Sequence, residues 1–335
     1  MTTIIKPARR VAVIGLGLIG GSLLRALAAQ VGPDFEVIGW DADHQSLLDA
    51  TAAGLTVIYD LEDLQDFNPD LEFFAVPLVY MRQSVAQVSE LVGENTLFSD
   101  VGSVKGEVLA VFIDLSLQDR FVGAHPMAGT EKSGFLNSSA DLLWQATWAL
   151  TVTPQTSLDA FVTVLQVLTA RLQARISVFE AQEHDALVAL VSHLPHVFAL
   201  EILNLVSQNP DSQALLNLAA GSFRDGTRVG LTDPERTAAM VRQNADAVIE
   251  LLDSVISDLT DFRSELLSGA NSGDFFHAAD QVRQRVKTRS SGSSKEQFSQ
   301  ELDLSNWFTS VLASSKQGFQ IVALDDAATL NWVRP

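Results

Sequence analysis

The chain has 335 residues, 47% of them hydrophobic and 19% charged, a balance that fits a globular protein and excludes a disordered or fibrous one. Its formal net charge of −19 argues against nucleic-acid and anionic-membrane partners, which require a basic footprint. The absence of cysteine rules out disulfide frameworks and thiolate chemistry.

The length favours two domains. No apolar run is read as approaching the ~20 residues of a membrane span, and Met1 to Arg10 shows no small-residue cleavage site. A cytoplasmic protein is therefore expected.

Arg10 to Ile14 is a short apolar run, followed at once by the turn Gly15-Leu16-Gly17-Leu18-Ile19-Gly20 and by helical spacing from Ser22 to Gln30. A second strand, Phe35 to Trp40, ends on Asp41; a helix from Ser46 to Ala53 and a short strand, Thr56 to Ile58, follow. Leu71 to Val76 reads as a buried strand stopped by Pro77, then a helix runs through Val92 to a strand at Leu97 to Asp100. Phe121 to Ala124 and Thr147 to Val152 continue the rhythm, which closes with a helix, Leu158 to Gln173, and a strand, Arg175 to Phe179. Strands alternating with helices imply a mostly parallel sheet with right-handed crossovers.

From Ala181 to about Val286 only helical periodicity remains, with apolar stripes such as Leu187, Leu190, Val191 and Leu194. The expected organisation is an α/β Rossmann-type dinucleotide-binding domain over 1–179 and an all-α dimerisation domain over 180–286, to which the resemblance described below adds substrate binding. The stretch from Lys287 to Lys295 reads as a Ser/Gly linker, and 287–335 as linker and short tail, with a helix near 300–313 and a strand near 318–324. Helices this apolar pack on more than their own neighbours, so a homodimer through the helical domain is expected.

Gly15, Gly17 and Gly20 follow a strand and open a helix, the context a dinucleotide-binding turn requires. Gly15 allows the tight turn, Gly17 admits the pyrophosphate and Gly20 lets helix and strand pack closely. The intervening Leu16, Leu18 and Ile19, and Val76 and Pro77 at the end of the 71–76 strand, complete the expected cofactor contacts. Asp41, twenty-one residues after Gly20, can accept a ribose 2′-hydroxyl, which favours NAD. NADP stays open, with Arg82 or His44 as its phosphate partner.

Polar residues also gather in Asp100-Val101-Gly102-Ser103-Val104-Lys105, in Gly123-Ala124-His125-Pro126-Met127-Ala128-Gly129-Thr130-Glu131, in Ser192-His193-Leu194-Pro195-His196 and in Phe223-Arg224-Asp225-Gly226-Thr227-Arg228-Val229. His193 and His196 could contribute, with His184, to a zinc site, but Pro195 and the lack of cysteine weaken that reading, and no metal is expected. The bland alternatives are a helix N-cap for Ser103, a surface partner of Asp225 for Arg228, and a buried histidine bonded to a carbonyl for His125.

Taken with GLGLIGGS, the segments DVGSVK, GAHPMAGTEKSG, EHDALVALVSHLPH and FRDGTRV resemble the TyrA family, the prephenate and arogenate dehydrogenases of tyrosine biosynthesis, over roughly Arg9 to Val286. The resemblance implies NAD(P)-dependent oxidative decarboxylation by a Rossmann domain followed by a helical dimerisation domain. It assigns His125 as acceptor of the substrate's C4-hydroxyl proton and Ser103 as hydrogen-bond partner of that hydroxyl. By the same resemblance Arg228 binds a substrate carboxylate, Ser192, His193 and His196 line the side-chain pocket, and Glu131 and Asp225 form an ionic gate. His196 tilts the substrate towards prephenate, with arogenate open because Thr237 stands where some relatives carry tryptophan. A β-hydroxyacid or imine-type dehydrogenase is the alternative enzyme, but no lysine lies between Lys132 and Lys287 to serve a lysine-dependent mechanism. A non-catalytic dinucleotide sensor is the alternative from another class.

Overall fold

A computed structural model describes residues 7–130, 132–269, 273–290, 296–325 and 328–334. The chain divides into two compact units, one holding the residues up to Asp185 together with Gln297–Val333, the other formed mainly by Ala186–Glu296.

In the first unit the strands are β1 (Arg10–Ile14), β2 (Glu36–Trp40), β3 (Leu71–Phe74), β4 (Leu97–Asp100), β5 (Phe121–Pro126), β6 (Thr147–Thr151) and β7 (Arg175–Phe179). The tail adds β8 (Glu296–Glu301), β9 (Gln320–Leu324) and β10 (Thr329–Arg334). They form one sheet in the order β2-β1-β3-β4-β5-β6-β7-β9-β10-β8. From β2 to β5 every pairing is parallel, so β1, β3, β4 and β5 all end at one edge of the sheet. Strand order reverses at β1, and ligands bind at such a switch point.

Alternation along the strands splits the core over the two sheet faces. Val11 and Val13 of β1 and Phe73 of β3 pack with Leu23, Leu24 and Leu27 of the helix Leu18–Ala28. Ala12, Ile14 and Phe74 face a second layer of Phe98, Phe112, Met81 and Val85. Glu72 sits in register with Ala12 and Phe98, fully buried, and neither of its carboxylate oxygens has a partner. Burial pushes its pKa well above the ordinary glutamate value.

The tail holds more regular structure than the sequence alone suggests. Helix Asp280–Ser290 takes in the first residues of the expected linker, and its first-turn Asp280 suits the positive end of the helix dipole. Residues 291–295 lie outside the described ones. Beyond them β9 pairs with β7 through Ile176 and Ile321, and Ser315 of the helix Trp307–Lys316 accepts the Val178 N–H at 2.8 Å. Trp307 stacks on Phe161 with ring centroids 4.9 Å apart. This covers β7, which would otherwise be an exposed edge.

The second unit is helical: Leu194–Gln208, Ser212–Leu218, Gly221–Thr227, Pro234–Gln243, Ala245–Ser268 and Asp280–Ser290 are its longer elements. A wide π-type turn, Ala189–His193, precedes Leu194–Gln208. Pro195 lacks an N–H to donate to Val191, and the turn widens where that bond is missing. By length and composition the continuous stretch Ala181–Gln208 could cross a membrane, although polar Ser192, His193 and His196 interrupt it.

Candidate active site

The glycine turn has the geometry its three roles demand. Gly15 lies at φ +97°, and a Cβ there would sit 2.7 Å from the Ala75 carbonyl oxygen. A Cβ on Gly20 would approach the Gly15 carbonyl oxygen to 1.9 Å, so only glycine fits. At Gly17 a Cβ would meet nothing within 4 Å, which leaves that side of the turn open to a ligand. Leu16 and Leu18 are buried, Val76 flanks the turn, and Pro77 opens the following helix, Leu78–Leu91. Asp41 braces the turn from β2: one carboxylate oxygen accepts the Leu16 N–H at 2.5 Å and the other the Asp43 N–H at 2.7 Å. Each oxygen keeps a second lone pair for another donor. Arg82 is ion-paired with Asp114, and His44 lies against the Tyr59 ring.

At the ends of β4 and β5 a buried ion pair ties two loops together. The Lys105 ammonium donates to Asp100 and, at 2.8 Å, to the Ala124 carbonyl, while Asp100 also accepts the N–H groups of Gly102 and Ala124 at 2.8 and 3.2 Å. Burial pushes the Asp100 carboxyl up and the Lys105 ammonium down, against their mutual attraction. The pair thus clamps the loop carrying Ser103 to the strand carrying His125. Ser103 is not an N-cap, since helix Gly106–Asp114 begins later and has Lys105 at its cap position.

Asp185 takes over the capping task. Its carboxylate accepts the Lys105 N–H at 2.8 Å and the Gly106 N–H at 2.7 Å, serving donors that the helix itself leaves unsatisfied. It also contacts the His184 Nδ1 at 2.8 Å, and the His184 Nε2 lies 3.0 Å from the His125 Nδ1. Burial alone would raise the Asp185 carboxyl; the His184 hydrogen bond and the Gly106 and Lys105 N–H groups outweigh it and hold the pKa below the usual aspartate value. His125 therefore bonds to another imidazole and is not simply tied to a carbonyl. His184 and Asp185 stand at the start of the EHDALVALVSHLPH segment, but no local pattern shows what Asp185 caps, because the groups it holds are 79 and 80 residues away.

In the helical unit, the fully buried His193 has the Asn244 amide 3.2 Å from its Nδ1. His196 donates its Nδ1–H to the Ser192 carbonyl at 2.8 Å. Gly230, two residues beyond Arg228, packs so closely on Ala199 and Leu203 that a Cβ would come 3.0 Å from the Leu203 side chain. His196, Ala199 and Leu203 share one face of Leu194–Gln208, so the Arg228 turn and His196 belong to one packed substructure. Arg228 and Asp225 are both exposed and form no ion pair with each other. Thr237 is buried, its hydroxyl bonded to the Asp233 carbonyl at 3.2 Å. Glu131 lies outside the described residues.

The sequence matches two family profiles, "prephenate dehydrogenase, nucleotide-binding domain" over residues 25–178 and "prephenate dehydrogenase, dimerization domain" over residues 180–279. A cyclohexadienyl dehydrogenase from Zymomonas mobilis is 31% identical over 288 residues, spanning 84% of this chain and 97% of its own. Among solved structures, a candidate prephenate dehydrogenase from Corynebacterium glutamicum superposes with a TM-score of 0.81 at 31% identity, over 93% of this chain and 98% of that one. Prephenate dehydrogenase from A. aeolicus, in complex with hydroxyphenyl propionate and NAD+, superposes with a TM-score of 0.75 at 25% identity, over 84% of this chain and 98% of that one.

Proposed function

The chain belongs to the prephenate dehydrogenase family, and we propose that it oxidatively decarboxylates prephenate to 4-hydroxyphenylpyruvate with NAD+, as a cytoplasmic homodimer. The observation that carries this reading is His125, an imidazole at the end of β5, on the sheet edge where β1 delivers the glycine turn and β4 the Ser103 loop.

The glycine turn fits a dinucleotide: Gly17 is open where a phosphate would approach, and the N-terminus of Leu18–Ala28 supplies N–H donors and the positive dipole end. Asp41 favours the unphosphorylated ribose of NAD, and Arg82 is held by Asp114. Bound NAD+ would supply the hydride acceptor for the substrate's C4 carbon. His125 takes the C4-hydroxyl proton as that hydride leaves, contributing about 10²–10⁴-fold. Ser103 hydrogen-bonds the same oxygen. The bond to the ring carboxylate then breaks, its electron pair aromatises the ring and leaves a phenolate that regains its proton from His125, and carbon dioxide departs. Arg228 grips a substrate carboxylate with two parallel N–H donors. This is how a chain of net charge −19 can hold a dianion. The dimer is supported by the apolar side chains that the helical unit leaves exposed, among them Leu190, Val191 and Ile256.

One observation favours arogenate as a second substrate. With its Nδ1–H given to Ser192, a neutral His196 presents Nε2 as an acceptor, which suits the side-chain ammonium of arogenate; only the protonated ring donates to a keto group.

The test offers purified protein prephenate or arogenate, each with NAD+ or NADP+, and follows absorbance of the reduced cofactor. Turnover of prephenate with NAD+ is expected. No rate in all four mixtures overturns the reading and leaves a dinucleotide sensor standing.

A further inference from the structure

We propose that His184 and Asp185 act as positioning residues that lock His125 in the tautomer with its proton on Nδ1, so that Nε2 carries the lone pair that receives the substrate proton. This deepens the reading of His125 as the base and rests on it.

The proton positions follow from the far end of the chain of contacts. Asp185 receives the Lys105 N–H, the Gly106 N–H and the His184 ring, a set of donors that an ionised carboxylate satisfies and a protonated one does not. An ionised Asp185 can only accept, so the His184 Nδ1 bears the hydrogen. In the neutral ring the His184 Nε2 is then an acceptor, and the His125 Nδ1, 3.0 Å away, must donate to it. The rings meet edge-on, with centroids 5.2 Å apart and planes at 72°, which sets the direction of the His125 ring as well as its tautomer.

This arrangement does not carry the proton away. His184 is 1% exposed and Asp185 8%, so the row of groups ends inside the protein. Asp185 is also stabilised in its ionised form by three donors, which opposes protonation. Its effect is orientation, together with stabilisation of the imidazolium that forms on His125. The charged groups surrounding it are the Asp100–Lys105 pair of the β4 loop and Glu183, which is held by Lys316 at 3.3 Å.

Asp185→Asn breaks the lock without removing a histidine. With its nitrogen turned to His184, at the loss of the Lys105 N–H that shares that position, the amide donates to the His184 Nδ1, which drives the hydrogen to its Nε2 and forces the Nδ1 of His125 to accept. His125 then carries its proton on Nε2, the wrong nitrogen. Expected is a fall in kcat on the order of 10²–10⁴-fold. KM for prephenate and the affinity for NAD+ should stay within about threefold, whereas mere structural damage would weaken both. The acid limb of the kcat/KM profile should shift to lower pH as the negative charge is lost. Nitrogen-15 NMR of the unmutated protein gives a check independent of any variant's folding: the His125 resonances should be those of an Nδ1–H ring. Either an Nε2–H signature for His125 in that spectrum or full kcat in Asp185→Asn overturns the lock. Full turnover in His125→Asn would overturn the base assignment itself, so the two failures are distinguishable.

Discussion

The two units bury their apolar residues to very different degrees. In the first unit β1 is sealed on both faces, with Val11, Ala12, Val13 and Ile14 all at 0% exposure. In the second, the 24-residue helix Ala245–Ser268 buries only Val248, while Ile249, Ile256, Leu259 and Leu266 remain in the open. Among the described residues, the buried hydrophobic ones beyond Ala186 in that unit are Val188, Ala189, Leu194, Ala199 and Val248. A sheet covered on both faces completes its own core. A set of helices with wide apolar faces does not, and the proposed dimer would cover them with a second copy of the chain. On the proposed reading the self-contained unit holds the base, His125, and the unit with open faces holds Arg228 and the dimer surface.

The strongest challenge to that division is His125→Asn. Turnover should fall on the order of 10²–10⁴-fold with KM little changed, measured by steady-state kinetics. A variant with full turnover would remove the chemistry from the first unit.

Arg228→Ala probes the other half. Loss of a bidentate charged contact should raise KM for prephenate roughly 10–100-fold and leave kcat within a few-fold, because about 1.4 kcal/mol corresponds to each factor of ten. The reverse pattern, a fallen kcat at unchanged KM, would assign the arginine to the transition state.

Ile256→Glu tests the open apolar face. Placing a charge there should shift the chain from dimer to monomer in sedimentation velocity at micromolar concentration and lower the Tm of the helical unit by several degrees, while NAD+ binding persists. An unchanged dimer would show that Ile256 lies outside the interface.

Glu72→Leu sharpens the account of the first unit and carries the smallest effect. Burial raises the folded-state pKa of Glu72, so its ionisation costs nothing below the unfolded value of about 4.3 and costs progressively more as pH rises above it. The Tm advantage of the leucine variant should therefore be small near pH 4 and grow to a few degrees by pH 8. A pH-independent difference would mean that the carboxyl finds compensation.

The glycine turn was legible because its constraints are local. A positive φ at Gly15 and a 1.9 Å approach at Gly20 admit no other residue, and the strand before and helix after them are visible as periodicity. Ser103, His125, His196 and Arg228 were legible as members of ordered motifs. In the tail, buried Leu330 and Trp332 alternate with the less buried Asn331 and Val333, the short-range pattern of a half-buried strand. The Glu296–Glu301 strand, with Phe298 as its single apolar residue, offers no such signal.

What the sequence determined by itself is therefore the run of elements, the glycine turn and the identity of the candidate reactive side chains, all written in spacings of a few residues. Tertiary structure alone decided which groups stand behind them. His184 meets His125 across 59 residues, and Asp185 caps a helix whose first N–H groups lie 79 and 80 residues away. Contacts of that separation depend on how sheet and helices close around the buried Asp100–Lys105 pair, and side-chain burial and direction there are products of packing that no local pattern encodes.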